Sequence, residues 1–482
     1  MSYNAISRYR TPAALRAYLQ QAGIELDLDD EVEQGPEAPL SKPYRLSDGF
    51  LIGNRACTHP MEGWDGTPDG RPTDLTIRRW ANFGRSGAKL IWGGEAVAVC
   101  HAGRANPNQL CLKPENLGDF VQLRQTLVDH HRQAYGRTDD LLIGLQLTHS
   151  GRFAQPNVKG KAEPVILYHH PFLDPRVGIG PDYPLMTDGE IGGLIAQFVT
   201  AAGLAQQAGF DFVDIKHCHG YLGHEFLSAV TRSGPYGGSF ENRTRFLREV
   251  VDGIRGACPG LRMGVRLSAF DFPQFKPDPL TGIGRPVAES GYPFLFGAAP
   301  GRPLEVDLGE AREFLALLKT LGIEMVNITG GSPYYNPHIQ RPTRTPTVDG
   351  YQPPEDPLVG VARHVQACAI LKSACPDMLI VGTGYTYLQE YLGHVAQANI
   401  RAGRVDFVGV GRMLLSYPDY FGDLLSGKLP DRRRLCRTFS DCTNGPRMGL
   451  VSGCYPLDPV YKEMPEFEEL ERRKEQLAQS RK

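Results

Sequence analysis

No apolar run in this sequence approaches the roughly 20 residues that a membrane-spanning helix needs. Neither charge is in excess: 52 Lys and Arg stand against 54 Asp and Glu, for a formal net charge of −2 and a pI near 6.7. That balance argues against a nucleic-acid or membrane-surface binder. The N-terminus, MSYNAISRYRTPAALRAYLQQ, lacks the apolar core of a signal peptide. Repeats of short period and low-complexity tracts are missing. Zinc-type cysteine pairs are missing too. Of ten cysteines, Cys57, Cys100, Cys111, Cys258, Cys368 and Cys375 sit singly in apolar or loop settings, which points to reduced thiols and not to a disulfide frame. What survives these exclusions is a cytoplasmic enzyme acting on a small molecule. A homo-oligomer is compatible with the sequence, but no motif encodes one.

The 482 residues are 41% hydrophobic and 22% charged, an ordinary globular composition. Short aliphatic or β-branched runs recur between helical patterns. Eight read as strands: Arg55–His59, Lys89–Gly93, Leu142–Leu147, Phe212–Lys216, Met263–Leu267, Met325–Ile328, Met378–Gly382 and Phe407–Val410. Strands alternating with helices imply parallel pairing through right-handed crossovers, and eight such units close most naturally into a (β/α)8 TIM barrel. Residues 1–44 read as an N-terminal extension with a short helix over Pro12–Ala22, 45–425 as the barrel, and 426–482 as a C-terminal extension ending in a solvated helix. Two Pro/Gly-rich stretches, 152–186 and 270–306, follow strands and are expected to shape a substrate pocket.

Chemistry concentrates at strand ends. In FVDIKHCHGYLGHEF, an ammonium, an imidazole and a phenol (Lys216, His219, Tyr221) follow an apolar strand within six residues. Strand parity alone would put 216 and 219 on opposite faces, so they converge only if the strand stops after Lys216 and turns at Gly220. His217 and Cys218 then become packing residues. The last two strands end in VGTGYTYLQEY and VGVGRMLL. Their glycines, Gly382, Gly384 and Gly411, would let backbone N–H groups approach an anion, with Arg412 supplying charge. Neither turn is a dinucleotide fingerprint, because the third Gly is missing.

Several motifs then coincide. NRACTHPMEG, GLQLTHSGR, HGYLGHEFLS with YGGSFENRTRFLREVVDGIR, VGVRLS and the two glycine turns occur in the order found in the old yellow enzyme family. From about residue 45 to 425 the chain resembles these FMN-dependent barrels, which reduce activated C=C bonds. The resemblance implies an FMN cofactor and NAD(P)H as transient reductant. It places Gln146 at the flavin pyrimidine edge and Arg266 near N1 and the C2 oxygen. Pro60, Met61 and Glu62 would contact the ring, and Gly94, Glu95 and Ala96 would line it. Gly382, Gly384, Gly411 and Arg412 would hold the phosphate. Tyr221 falls on the family's proton donor, and Lys216 and His219 on its carbonyl-polarising pair.

Three departures stand out. Lys216 replaces the usual His, favouring substrates with a carboxylate or enolate-like oxygen. Glu62 replaces a small residue beside the flavin C4 oxygen, where it would disfavour the reduced ring unless protonated, turned away, or paired with Lys216 or a substrate group. Cys436, Cys442 and Cys454 match three of the four cluster cysteines of the dienoyl-CoA reductase and trimethylamine dehydrogenase branch, with Phe439 near the place of the second. Because a [4Fe–4S] cluster normally takes four thiolates, the expectation is a degenerate site without a cluster. The stretch after the last strand is also too short for the nucleotide-binding domain of those larger relatives. Three rival readings use the same barrel. One is a Schiff-base lyase built on Lys216, the second a metal-dependent hydrolase built on His217 and His219, and the third a barrel that has lost catalysis and only binds a ligand.

Overall fold

A computed structural model describes residues 3–480. Its centre is a closed ring of eight parallel strands: β1 Ala56–Thr58, β2 Leu90–Ile91, β3 Leu142–Thr148, β4 Phe212–Ile215, β5 Arg262–Phe270, β6 Met325–Gly330, β7 Leu379–Gly382 and β8 Phe407–Val410. The ring closes because β1 pairs with both β2 and β8. Helices follow the strands, among them Asp74–Gly84, Leu117–Tyr135, Asp188–Gln207, Arg245–Ala257, Gly309–Thr320, Pro357–Ala374 and Leu392–Arg401. All eight strands read from the sequence are present, most of them shifted at an end by a residue or two. The architecture is the (β/α)8 barrel.

Alternation along each strand sorts the interior into layers. Cys57, Leu90, Leu142, Phe212, Met325, Leu379 and Phe407 form an apolar plug with Trp92 and Val381. An antiparallel hairpin, Tyr44–Arg45 against Leu51–Ile52, caps that end, with Leu46 and Ile52 entering the same cluster. Further along the same inward faces the residues become polar: His59, Gln146, Asp214, Arg266 and Asn327, all buried. Burying this many polar groups is costly unless each finds a partner. The layer therefore marks where packing gives way to a site.

The N-terminal helix spans Pro12–Gln21, with the Thr11 side chain accepting a hydrogen bond from the Ala14 N–H at 3.1 Å. The segment after it is clamped to the barrel's last large helix, Arg401 reaching Asp29 at 2.8 Å and Gln397 accepting the Glu33 N–H at 2.9 Å. Among the described residues, no helix is long and apolar enough to cross a membrane.

Candidate active site

The turn after β4 explains how Lys216 and His219 meet. The strand stops at Ile215, His219 and Gly220 both take left-handed backbone angles (φ 66° and 76°), and the chain reverses. A Cβ on Gly220 would lie 2.7 Å from the Tyr335 ring, so only glycine fits there. Left-handed His219 is strained and is held by two hydrogen bonds: its N–H to Ser268 Oγ at 3.0 Å, and its carbonyl from Ser332 Oγ at 2.7 Å. Lys216, His219 and Tyr221 then face one cavity at the C-terminal ends of the strands. His217 instead points outward between the Phe246 and Phe314 rings, and Cys218 is buried away from the cavity. Since His217 and His219 diverge, they cannot share a metal. Among the described residues, no group of three or more His, Cys, Asp or Glu is arranged to hold one.

Gln146 and Arg266 form the floor of that cavity. Asp214 orients both: it accepts Gln146 Nε2 at 2.5 Å, Trp92 Nε1 at 2.9 Å and the Arg266 backbone N–H at 2.7 Å. With its nitrogen so committed, Gln146 keeps its amide oxygen as an acceptor. Burial lifts the Asp214 carboxyl to about 6 despite these bonds. Arg266 donates to the Pro60 carbonyl at 3.1 Å, and its buried Nε has no partner. His59 stands beside it, Nδ1 3.0 Å from the Asn327 amide and Nε2 without a partner. Burial and the Arg266 charge keep its imidazole neutral. Gly409 is required here, because a Cβ would fall 2.1 Å from the His59 ring.

Gly384, Gly411 and Arg412 line the opposite end of the same space. Arg341 joins them from the loop after β6. It donates to Thr443 Oγ1, but its buried Nε and Nη2 have no partner, nor does Arg412 Nη1. Burial, with Arg412 and Arg447 nearby, pulls Arg341 down to about 9. Unpaired buried guanidinium nitrogens beside two glycine turns are suited to an anion such as a phosphate.

Glu62 is turned toward the phenol. Tyr221 donates its hydroxyl hydrogen to Glu62 Oε2, and the Tyr334 hydroxyl lies 2.7 Å from that of Tyr221. The other Glu62 oxygen accepts Trp64 Nε1 at 2.7 Å and Asn106 Nδ2 at 3.2 Å. Burial first, then the Glu62 charge, holds the Tyr221 phenol well above its ordinary range. Lys216 makes no hydrogen bond to Glu62. Its ammonium rests over the Tyr221 ring, and burial lowers its pKa.

Some expected contributors stand elsewhere. Ala96 lines the cavity, but Gly94 and Glu95 do not. Glu95 turns outward to bond Arg79 at 2.9 Å and Trp80 at 3.3 Å, because a buried carboxylate needs those donors. Gly382 faces Val405 and Tyr385. The stretches 152–186 and 270–306 contribute no lining residue; the walls come from 333–342 and 442–453. The two stretches act one layer back. Phe153 stacks on Tyr334 with ring centres 4.2 Å apart, and Asp271 bonds Tyr335 at 2.6 Å and Asn336 at 2.8 Å. Cys436, Cys442 and Cys454 surround a small hollow behind Arg412, where burial raises the Cys436 and Cys454 thiols. His59, Asp214 and Asn327 were missed by the sequence reading, although inward strand parity marks them. Tyr334 and Arg341 lie in the connection after β6, and Arg447 ends a seven-residue helix, Asp441–Arg447; none of the three left a periodic signal.

Comparisons with known proteins bear on the family and the fold. The model of the NADH:flavin oxidoreductase / NADH oxidase family matches residues 39–278. The chain belongs to this family. An NADPH dehydrogenase of Geobacillus sp. (strain WCH70) is 32% identical over 246 residues, 49% of this chain and 65% of that protein. The old yellow enzyme homologue from Zymomonas mobilis superposes with a TM-score of 0.55 at 22% identity, over 80% of this chain and 92% of that one. A 2-naphthoyl-CoA reductase gives 0.62 at 18% identity, over 89% and 58%. Histamine dehydrogenase from Rhizobium sp. 4-9 gives 0.63 at 20%, over 88% and 52%. These structural likenesses show the fold. The chain spans about two thirds of the curated relative and little more than half of the two larger structures.

Proposed function

We propose that this family member is an FMN-dependent NAD(P)H oxidoreductase that reduces an activated C=C bond of an enone- or enoate-like substrate. The observation that carries the reading is one cavity with three stations. Gln146 and Arg266 lie beneath it, Lys216, His219 and Tyr221 stand beside it, and Gly384, Gly411 and Arg412 close the far end.

The residues present suit a flavin. The Gln146 oxygen can accept the ring N–H of the pyrimidine edge. Arg266, a fixed cation with an unpartnered nitrogen, matches negative charge developing on a reduced ring. Arg412 and Arg341 suit the phosphate. Bound there, the flavin supplies hydride transfer. The rest belongs to this chain. Lys216 and His219 bind the substrate's carbonyl or carboxylate oxygen. Withdrawing density from that oxygen stabilises the enolate-like transition state more than the ground state. Tyr221 manages the proton at the α-carbon. An ammonium at 216 favours substrates whose activating group is a carboxylate.

The NADPH dehydrogenase relative makes NADPH the first donor to try, with NADH beside it. The test is an absorption spectrum of the purified protein, followed by anaerobic titration with each nucleotide. A flavin spectrum that bleaches with one of them is expected. A preparation that stays colourless after FMN is added would sink the proposal. A colourless protein trapped on Lys216 by borohydride would favour the Schiff-base reading instead.

A further inference from the structure

One phenol carries one hydrogen, and in this site it is already committed. Tyr221 gives it to Glu62 Oε2, while the Tyr334 hydroxyl stands 2.7 Å from the Tyr221 oxygen. A phenol bonded in this way presents a lone pair to the cavity. It can take a proton from a substrate carbon, but it has none free to give. Giving one requires that Glu62 release the phenol, and a neutral carboxyl does so by donating its own hydrogen to the Tyr221 oxygen.

We propose that Glu62 holds the exchangeable proton of this site and sets which way Tyr221 works: neutral, it frees the phenol to give a proton to substrate carbon; ionised, it captures the phenol hydrogen and leaves Tyr221 only able to accept. This rests on the function proposed above. Glu62 is a positioning residue acting through Tyr221. In the reducing direction a C–H bond forms at the α-carbon as the Tyr221 O–H breaks. A new O–H forms on Tyr221 as that of Glu62 breaks. The hydride at the β-carbon originates in NAD(P)H by way of the flavin. Solvent then returns a proton to Glu62. The sum is NAD(P)H, one proton and C=C going to NAD(P)+ and the saturated bond.

The surroundings make Glu62 the proton-holding member. Trp64 and Asn106 donate to Oε1, so proton exchange is confined to Oε2, which faces Tyr221. Lys216 acts on Glu62 by charge from the end of β4, and Arg266 acts on Lys216 from β5. Tyr334 approaches Oε2 to 3.4 Å from the loop after β6, and Arg447 of the C-terminal segment acts on Tyr334. Lys159 lies 4.8 Å from the centre of the Trp64 ring. Tyr221 and Tyr334 are both held well above ordinary phenols, so neither keeps a negative charge in place of the carboxylate.

Glu62→Gln is the decisive variant. With Trp64 and Asn106 demanding an oxygen, the amide nitrogen must face Tyr221, which mimics neutral Glu62. In flavin-free protein carrying 13Cζ-tyrosine, the Tyr221 resonance is identified by its loss in Tyr221→Phe. In the native chain it is expected to shift once with pH without becoming a phenolate. The step should be absent in Glu62→Gln and displaced in pH in Glu62→Asp, which also serves if the Gln variant does not fold. In the FMN-loaded enzyme, native substrate reduction is expected to fall about tenfold per pH unit above that step, while the Gln variant, whose amide orients Tyr221 but has no acidic proton to return to it, should run slower and without the step. A Tyr221 shift that persists in Glu62→Gln, or none in the native chain, overturns the inference. If the protein takes up no flavin, the proposed reaction fails, while the resonance still reads the Glu62–Tyr221 link.

Discussion

The ammonium nitrogen of Lys216 lies 3.6 Å from the centre of the Tyr221 ring. The cation thus faces the π-cloud of the proposed proton-handling residue and also reaches the cavity. Such contacts contribute about 0.5–2 kcal/mol. Lys216→Met keeps most of the length and removes the charge. KM for carboxylate-bearing enoates is expected to rise about tenfold or more, equivalent to about 1.4 kcal/mol, while neutral enones change less. Steady-state kinetics on the two substrate classes checks this. Identical parameters for both would remove Lys216 from substrate recognition.

Arg341 carries two buried nitrogens without partners. A charged group left this way costs stability in the empty protein and is recovered when an anion binds. Arg341→Met is therefore expected to leave the flavin-free protein at least as heat-stable as the native chain, yet to weaken FMN binding about tenfold to a hundredfold. Thermal melts and flavin fluorescence titration separate the two effects. Weakened stability with unchanged affinity would contradict this role.

Asp214 gives a pH signature. Burial raises its carboxyl from 3.8 to about 6 in the folded protein, so the folded state holds this proton more tightly than the unfolded chain. The contribution to stability is greatest below the unfolded value and is lost as pH rises toward about 6. In Asp214→Asn that slope should vanish. The variant also loses an acceptor for the Arg266 N–H, at a cost of about 1–3 kcal/mol. Urea midpoints measured across this pH range test both statements.

Arg152 ties the first long stretch down. It bonds Asp174 and, at 3.0 Å, Glu225, with its side chain 1% exposed. Arg152→Met would leave two buried carboxylates without their cation, a loss of about 3–5 kcal/mol. Adding Glu225→Gln should recover part of it, and paired denaturation curves would show this.

The barrel was legible because each strand is a short apolar run between helical patterns, and the inward and outward faces alternate. The convergence of Lys216 and His219 was legible for a narrower reason: parity forbade it unless Gly220 turned the chain. The orientation of Glu62 was not legible. Its partners Trp64, Asn106 and Tyr334 come from two loops near the start of the barrel and one far along it, and loop spacing carries no period. For the same reason the wall at 333–342 escaped notice, whereas 442–453 drew attention for its cysteines and not as a wall, its helix Asp441–Arg447 being too short to show a period. The conspicuous stretches at 152–186 and 270–306 attracted attention by their length, while their side chains are spent on supporting Tyr334, Tyr335 and Asn336.

The stacking of Phe153 on Tyr334 couples the excursion after β3 to the one after β6. An engineer who grafts a new segment over 152–186 to widen substrate scope would also remove the backing of a phenol that touches Tyr221. The two excursions form a single module, and libraries that vary them together should retain turnover more often than libraries that vary either alone.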